Sequence, residues 1–285
     1  MMDWIIDFFS DAPTWFRATM LFGGMLLFWI VEGLIPLFKT PYKKYRHAGL
    51  NLFFTVTTAL INLGLAALLI GTCIYVSENE IGLIYLFGAP LWVKATLGVM
   101  LLDLIGAWFI HFIEHKIKWM WLFHLIHHTD TNVDVTTGLR HHPGESIFRM
   151  AFTILAIAIV GAPVWMAVLY QSLSAIFTHF NHANIRLPKK LDIILSYIIV
   201  TPDMHKVHHH YTQPLTDTNY GNIFAIWDRI FGTYASVDDA RNLKYGIDTH
   251  MEPTENDKLG NLLAIPFQKY RTPTGKFAEN EVVNQ

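Results

Sequence analysis

The chain has 285 residues, of which 52% are hydrophobic and only 15% are charged. Soluble domains usually contain about 25% charged residues, so this composition indicates a membrane protein. The formal net charge of −2, with no basic stripe, argues against a nucleic-acid partner. The single cysteine, Cys73, excludes an intramolecular disulfide and argues against a thiolate metal site. The first residues lack the basic start and the cleavage site of a secretory signal.

Four apolar stretches follow one another along the chain. A spanning helix needs about 20 mostly apolar residues, and residues 16–38 and 48–76 qualify. The next stretch breaks near Pro90, which predicts a short interfacial piece and then a span over 91–110. Residues 147–180 are apolar around "GAP" and predict a helical hairpin or a re-entrant pair. The expected fold is an all-α membrane bundle of about four spans plus this hairpin element.

Basic residues in short loops predict the orientation of the spans. A cluster that includes Lys43, Lys44 and Arg46 follows the first span, whereas the later loop "SENE" has no basic residue. Because basic loops stay in the cytoplasm, the first of these loops is expected inside and the second outside. The third span then returns to the cytoplasm near residue 111. We therefore expect every histidine cluster on the cytoplasmic side, in a helical cap close to one membrane surface.

Three histidine clusters carry the chemistry that the sequence suggests. Residues 111–115 read HFIEH, residues 124–128 read HLIHH and residues 205–209 read HKVHH. On a helix, side chains three and four positions apart share a face, so each cluster can direct several imidazoles to one point. Adjacent histidines diverge by about 100°, which suits two different metal ions. Eight histidines exceed the needs of one tetrahedral site, so we predict two metals.

The identity of the metal stays open at this level. Imidazole ligands suit zinc, copper, iron and nickel. The first cluster is not the HExxH motif of zinc proteases, because Glu114 directly precedes the second histidine. A histidine-rich metal transporter and a metal-stabilised scaffold without catalysis are the alternatives. Transporters place ionisable residues at mid-membrane, whereas these histidines fall at the ends of spans.

These motifs resemble the membrane-bound fatty acid hydroxylase and sterol desaturase superfamily, whose signature is HxxxH, HxxHH and a later HxxHH. Three further segments are similar to that family: "TGLRHHPGE" at 137–145, "HANIRLP" at 182–188 and "TDTNYGNIFAIWDRIFGTY" at 216–234. The resemblance covers roughly residues 95–235. It predicts membrane spans over 1–95, a catalytic domain over 96–235 and a polar tail over 236–285. The lack of a recognisable cytochrome motif points to the stand-alone bacterial or sterol-modifying branch.

The resemblance implies a non-haem diiron oxygenase that uses O₂ to hydroxylate or desaturate a lipid C–H bond. The implied cofactors are two iron ions, with zinc as a substitute in a purified sample. Electrons would come from a separate ferredoxin or cytochrome b5-like donor with its reductase. Sterols, fatty acids, alkylglycerols, carotenoids and bacterial lipids all stay open as substrates, and so does the oligomeric state. The implied ligands are His111, His115, His124, His127, His128, His182, His205, His208 and His209.

Several other polar residues are candidates for supporting roles. His179 and His142 compete for any remaining ligand position, although the HxxH spacing of 179 and 182 departs from the family's HxxxH. Carboxylates near metal-bound histidines often orient the rings, and the residues expected to act in this way, with an amide among them, are Asp103, Asp130, Asp217 and Asn219. The alternative for these residues is a purely structural role, in an exposed loop for Asp130 and in a turn for Asp217 and Asn219. His47 is expected to face lipid headgroups and His250 to lie at the surface.

Overall fold

The computed structural model describes residues 2–39 and 41–275, and within them the protein is helical with no β-strand. Three isolated β-bridges are its only extended pairings in that part of the chain. The last ten residues of the predicted polar tail lie outside the described residues. This all-α architecture agrees with the prediction from sequence.

The N-terminal half contains the long apolar helices. Helix α1 is Met2–Ser10, and α2 covers 14–34 with a π-helical segment at Thr19–Gly23. Helix α3 is Lys44–Glu78, and α4 is Leu91–Lys116 with a π-helical segment at Leu104–Phe109.

The second half carries the remaining helices, which are shorter apart from one apolar pair. They are α5 Lys118–His128, α6 Pro143–Val160, α7 Val164–His182, α8 Lys189–Leu195, α9 Pro202–His208, α10 Ile226–Ile230, α11 Pro253–Asn256 and α12 Leu259–Ala264.

Within the described residues, three helices are long and apolar enough to cross a membrane: α3 with its extension to Tyr85, α4, and α6. The apolar segment Thr19–Leu34 of α2 is shorter. The prediction of about four spans therefore rests on α2 as well as on these three helices.

A short turn at residues 161–163 joins α6 to α7, where the sequence predicts the turn of a hairpin. Gly161 ends α6 with a φ of 80°, and a Cβ there would lie 2.4 Å from the carbonyl oxygen of Ile81. Only glycine combines this left-handed conformation with so close an approach of two backbones. The loop after α3 is therefore held against the turn between α6 and α7.

The main hydrophobic core joins α3, α4, α6 and α7. Leu102 of α4, Ile157 of α6 and Met166 of α7 are fully buried in it, together with Cys73 of α3. A second core packs α5 against α12, where Leu262 is buried. Part of the predicted polar tail is therefore folded against α5. Together the two cores hold the end of α4, the start of α6 and the end of α7 around α5 and α9.

Candidate metal centre

Nine buried or nearly buried histidines converge into two groups at one end of the helical bundle. Within each group, one ring nitrogen from every member lies within 4.8 Å of the others. We call them group one and group two. Group one contains His111, His115, His124, His128 and His208, and group two contains His127, His182, His205 and His209. All nine of the ligands implied by the resemblance are therefore brought together.

Neighbouring histidines in the chain belong to different groups. His127 joins group two while His128 joins group one, and His208 and His209 divide in the same way. Side chains of successive helical residues diverge by about 100°, so each of these two adjacent pairs presents one imidazole to each group. Two HxxHH motifs thus connect the two groups rigidly.

Hydrogen bonds set the orientation of six of the nine rings. In each, Nδ1 lies close to a backbone carbonyl or a carboxylate, which favours a proton on Nδ1 and leaves a lone pair on Nε2. The Nδ1-to-acceptor distances are 2.8 Å from His111 to Tyr220 O, 3.2 Å from His115 to Asp217, 2.9 Å from His124 to Glu145, 3.1 Å from His127 to Thr137 O, 2.8 Å from His182 to Thr178 O and 2.6 Å from His208 to Thr218 O.

The Nε2 atoms freed in this way face one another at short range. The distance is 3.0 Å between His111 and His124 in group one, and 3.2 Å between His127 and His182 in group two. Two lone pairs repel each other at such distances unless a cation lies between them. Two nitrogens that are each about 2.1 Å from one ion, at right angles, lie about 3.0 Å apart. The residues present therefore fit a metal ion in each group.

The protonation state of the histidines outside the spans also suits metal binding. Burial lowers the pKa of His208 to about 4. Burial, reinforced by neighbouring histidines, also holds the pKa values of His127, His128 and His209 well below the ordinary value. A histidine must be neutral to bind a metal. These rings are therefore ready to act as ligands at neutral pH.

A buried charge cluster supports group one from the side of α6. Glu145 accepts hydrogen bonds from Arg149 Nε at 2.7 Å, and its Oε1 lies 2.9 Å from Nδ1 of both His124 and His141. Arg149 also donates to Glu114 at 2.7 Å. Glu145, Arg149 and Glu114 were not predicted from the sequence as site residues. The available signal was an acidic residue in the first turn of an apolar helix, directly after the HHP motif.

Of two predicted supporting residues near group one, Asp217 contacts a ring and Asn219 contacts the backbone. Asp217 lies 3.2 Å from Nδ1 of His115 and accepts a hydrogen bond from Lys116 at 3.0 Å. Asn219 donates from its amide to the carbonyls of Met204 and Ala235 at 2.9 and 2.8 Å. Asn219 thus holds the loop that follows α9 rather than a ring.

The two remaining carboxylates act one step further away. Asp130 accepts from the hydroxyl of Thr137 at 2.8 Å, and the carbonyl of Thr137 faces His127. Asp103 is fully buried and accepts from the backbone of Ile223 and Phe224 and from the Trp227 indole. Each positions a loop that contacts a histidine.

His179 and His142 do not belong to either group. His179 packs against α2, where a Cβ on Gly24 would lie 3.0 Å from its ring. His142 precedes α6, and its Nδ1 accepts a hydrogen bond from the Gly144 backbone at 3.0 Å. His141, beside it, stacks on the His127 ring at 4.5 Å between centroids. His179 thus forms an interhelical contact and His142 caps a helix. Neither residue fills the remaining ligand position for which the sequence suggested them.

Two histidines expected at the surface are buried instead. His47 lies at the start of α3, and its Nε2 is 2.8 Å from Asp130 while its Nδ1 is 3.2 Å from Asp134. His250 is only 2% exposed, and the Asn256 amide of α11 donates to its carbonyl at 3.2 Å. The prediction that His47 faces headgroups was wrong because the loop after α5 folds back onto α3 and supplies two carboxylates.

Replacing Glu145 with glutamine is expected to weaken metal binding in group one about 10–100-fold, because Nδ1 of His124 loses a charged acceptor. Competition with a graded series of chelators measures this change. Glu255→Gln is the matched control, since Glu255 pairs with Arg271 in the C-terminal region, and it should leave metal affinity unchanged. Equal affinity in both variants would show that Glu145 does not orient the ring.

Sequence comparison extends these observations. The profile described as fatty acid hydroxylase matches residues 95–233, a range that contains all nine grouped histidines. This match supports the fatty acid hydroxylase superfamily as the group that the chain resembles. No solved structure matches it significantly.

Curated relatives of this chain are named as lipid-modifying enzymes. Human alkylglycerol monooxygenase is 27% identical over 86% of this chain and 51% of its own length. The Danio rerio protein of the same name is 30% identical over 82% of this chain and 50% of its own length. Ornithine lipid hydroxylase OlsE of Rhizobium tropici is 27% identical over 51% of this chain and 43% of its own length. The chain thus spans about half the length of these relatives.

Proposed function

We propose that the protein is a membrane-bound non-haem diiron oxygenase that hydroxylates or desaturates a C–H bond of a lipid. The observation that carries this proposal is the pair of buried imidazole groups with facing lone pairs. The family-model match and the names of the relatives, a monooxygenase and a hydroxylase of lipids, support the reaction class. The substrate is proposed as a lipid drawn from the bilayer, because the site lies at the ends of apolar helices.

The nine grouped histidines are proposed as the ligands. When bound, a pair of iron ions would activate O₂ and provide the oxidising power needed to break an unactivated C–H bond. Group one offers five nitrogens and group two offers four. A catalytic zinc typically takes three protein ligands, so this nitrogen-rich set favours a pair of redox-active ions. Zinc is expected to occupy the same positions when iron is lost.

The chain's own residues perform three tasks in this reaction. The Nδ1 contacts of the rings hold the lone pairs inward, so that binding requires little reorganisation. Burial excludes water from reactive species. The helices α4, α5, α7 and α9 fix the two groups relative to each other. Electrons are proposed to come from an external ferredoxin or cytochrome b5-like donor with its reductase.

The metal centre is proposed to face the cytoplasm. The start of α3, where Lys43, Lys44 and Arg46 cluster, lies at the same end of the bundle as the histidines, because His47 contacts Asp130 after α5. Basic residues are retained on the cytoplasmic side. In a bacterium this orientation would place the protein in the inner membrane.

Comparative lipid mass spectrometry with and without the gene tests the function. We expect a lipid species heavier by one oxygen atom, or lighter by two hydrogens, that depends on the gene. Growth under isotopically heavy oxygen gas should label the hydroxylated product. The proposal would be contradicted if both species were absent from cells that contain the metal-loaded protein and an active electron donor. Metal flux in proteoliposomes would favour a transporter instead.

A further inference from the structure

An apolar groove of about 380 Å³ runs along α4 beside group one. The walls contain no charged side chain, and the groove lies on a helix long and apolar enough to span a membrane. Its apolar lining consists of Leu104, Ile105, Trp108, Phe109 and Phe112 from α4 and Phe231 from the turn after α10. The groove is therefore open to lipid and unsuited to a polar ligand.

One aromatic side chain separates this groove from the histidines of group one. The Tyr220 ring lies 5.5 Å from Phe112, a groove residue, and 5.5 Å from His111. It also lies 5.1 Å from the His115 ring. Tyr220 is fully buried, and its hydroxyl makes no hydrogen bond to any described residue. A buried hydroxyl without a partner is costly and is typical of functional positions. The inner wall of the groove is thus also a wall of the metal centre.

The same carboxylate holds the groove wall and the loop that contacts His111. Asp228 accepts from the Trp108 indole at 2.9 Å and from the Tyr220 backbone N–H at 2.8 Å. The Tyr220 carbonyl in turn faces Nδ1 of His111 at 2.8 Å. The groove also coincides with the π-helical segment Leu104–Phe109, an irregularity often found at functional sites. The groove therefore has a fixed position relative to group one.

The outer edge of the groove joins an exposed apolar surface. Phe231 and Ile230 are 52% and 60% exposed, and Ile198 is 64% exposed. The two segments that carry these side chains are paired, because the Ala225 N–H donates to the Ile198 carbonyl at 3.1 Å. A contiguous apolar surface of this kind is expected to contact a membrane. The groove is thus continuous with the surface through which a bilayer lipid would approach.

We propose that this groove binds a single long alkyl chain of a bilayer lipid and directs it toward Tyr220. This inference rests on the proposed function, for which it names the chain-binding site. The side chains of α4 contact the methylenes, and Trp108 is the rigid wall fixed by Asp228. Tyr220 is a positioning residue that limits how far the chain approaches the histidines.

Photo-crosslinking tests the site without requiring catalysis. The full-length protein, stripped of metal in lipid nanodiscs, is irradiated with a long-chain alcohol that carries a diazirine on its alkyl chain. Labelled positions are mapped by peptide mass spectrometry. We expect saturable labelling at residues 104–112 and 231, which unlabelled long-chain alcohol displaces, whereas lipid-facing Leu60 and Leu63 should label without saturation.

A matched pair of variants sharpens the result. Leu104→Trp fills the groove and should weaken the probe's apparent affinity about tenfold, which corresponds to about two methylenes withheld from an apolar site. Leu97→Trp lies on the same helix at a position that is 42% exposed and outside the groove, and it should bind the probe normally. Should Leu104→Trp not fold, Leu104→Ala should move the labelled positions within the groove.

The outcomes separate the groove from the proposed function. Uniform, non-saturable labelling, or equal affinity in Leu104→Trp and Leu97→Trp, would overturn the groove even if the cells produce an oxidised lipid. Saturable labelling that is lost only in Leu104→Trp supports the groove, even if no oxidised lipid is found and the proposed function fails.

Discussion

The His127→Ala variant is expected to retain about half of the bound metal and to lose lipid oxidation, because group two drops to three nitrogens. His128→Ala should lose less metal, because group one keeps four nitrogens, as many as group two has in the natural protein. The two residues are adjacent on one helix and chemically identical, so each is a matched control for the other. Elemental analysis of purified protein and a lipid oxidation assay measure both effects.

Double variants show whether the two groups hold separate ions. His127→Ala combined with His182→Ala should lose no more metal than His127→Ala alone, because both residues belong to group two. His127→Ala combined with His128→Ala should lose more metal, because it removes one ligand from each group. Metal losses that add for residues of different groups, and do not add for residues of the same group, indicate two separate sites. Equal metal loss in the two double variants would contradict the division into groups.

A conservative substitution outside both groups completes this experiment. His142→Asn keeps a side chain that can accept the Gly144 N–H at the start of α6, since asparagine is a favoured N-cap. It should retain full metal content. A loss as large as that of His127→Ala would place His142 among the ligands.

Replacing Arg140 with methionine is expected to destabilise the protein by about 3–5 kcal/mol, because it removes the charge of a buried network and leaves its partners unpaired. The guanidinium is fully buried and donates to Ile126 O at 2.9 Å, to Thr129 at 3.0 Å and to Asn256 O at 2.5 Å. Burial alone would raise the pKa of Asp130, but the charges of His47 and Arg140 hold that pKa below its ordinary value. The loop after α5 and α11 should both loosen in the variant.

Arg46→Met is the control for this loss of stability. Arg46 also contacts the end of α11, through Asp257 at 3.0 Å, but its side chain is 57% exposed. Exposed ion pairs contribute about 0–1 kcal/mol, so this variant should be nearly as stable as the natural protein. Thermal unfolding in nanodiscs, followed by tryptophan fluorescence, measures both variants. A similar loss in the two would mean that burial of Arg140 has no special importance.

The histidine spacing shows how much of the site could be predicted from sequence. Positions three and four apart share a helix face and adjacent positions do not, so the division of His127 from His128 follows from local helix geometry alone. The hairpin turn at Gly161 is equally local. The all-α fold follows from long apolar stretches, because an isolated span in a bilayer must satisfy its own backbone hydrogen bonds.

The partners of those histidines could not be predicted in the same way. His47 seemed to belong to a basic loop, yet it is buried against Asp130 and Asp134, 83 and 87 positions away. Glu145 and Arg149 lie near the start of a helix, and nothing in the local sequence marks them as site residues. Their partners come from α5 and α4, which pack against them. Burial of a polar residue depends on which elements pack over it, and local periodicity carries little information about that.

The sequence by itself predicted which histidines are candidate metal ligands, and it determined that adjacent ones diverge, since that divergence depends only on the geometry of single helices. Only the tertiary structure decided which carboxylates orient the rings, and that Phe231 closes a groove along α4 next to Tyr220. Several of those contacts join segments about a hundred residues apart or more, such as Trp108 and Asp228. Their formation depends on how the helices pack, which is a property of the whole chain.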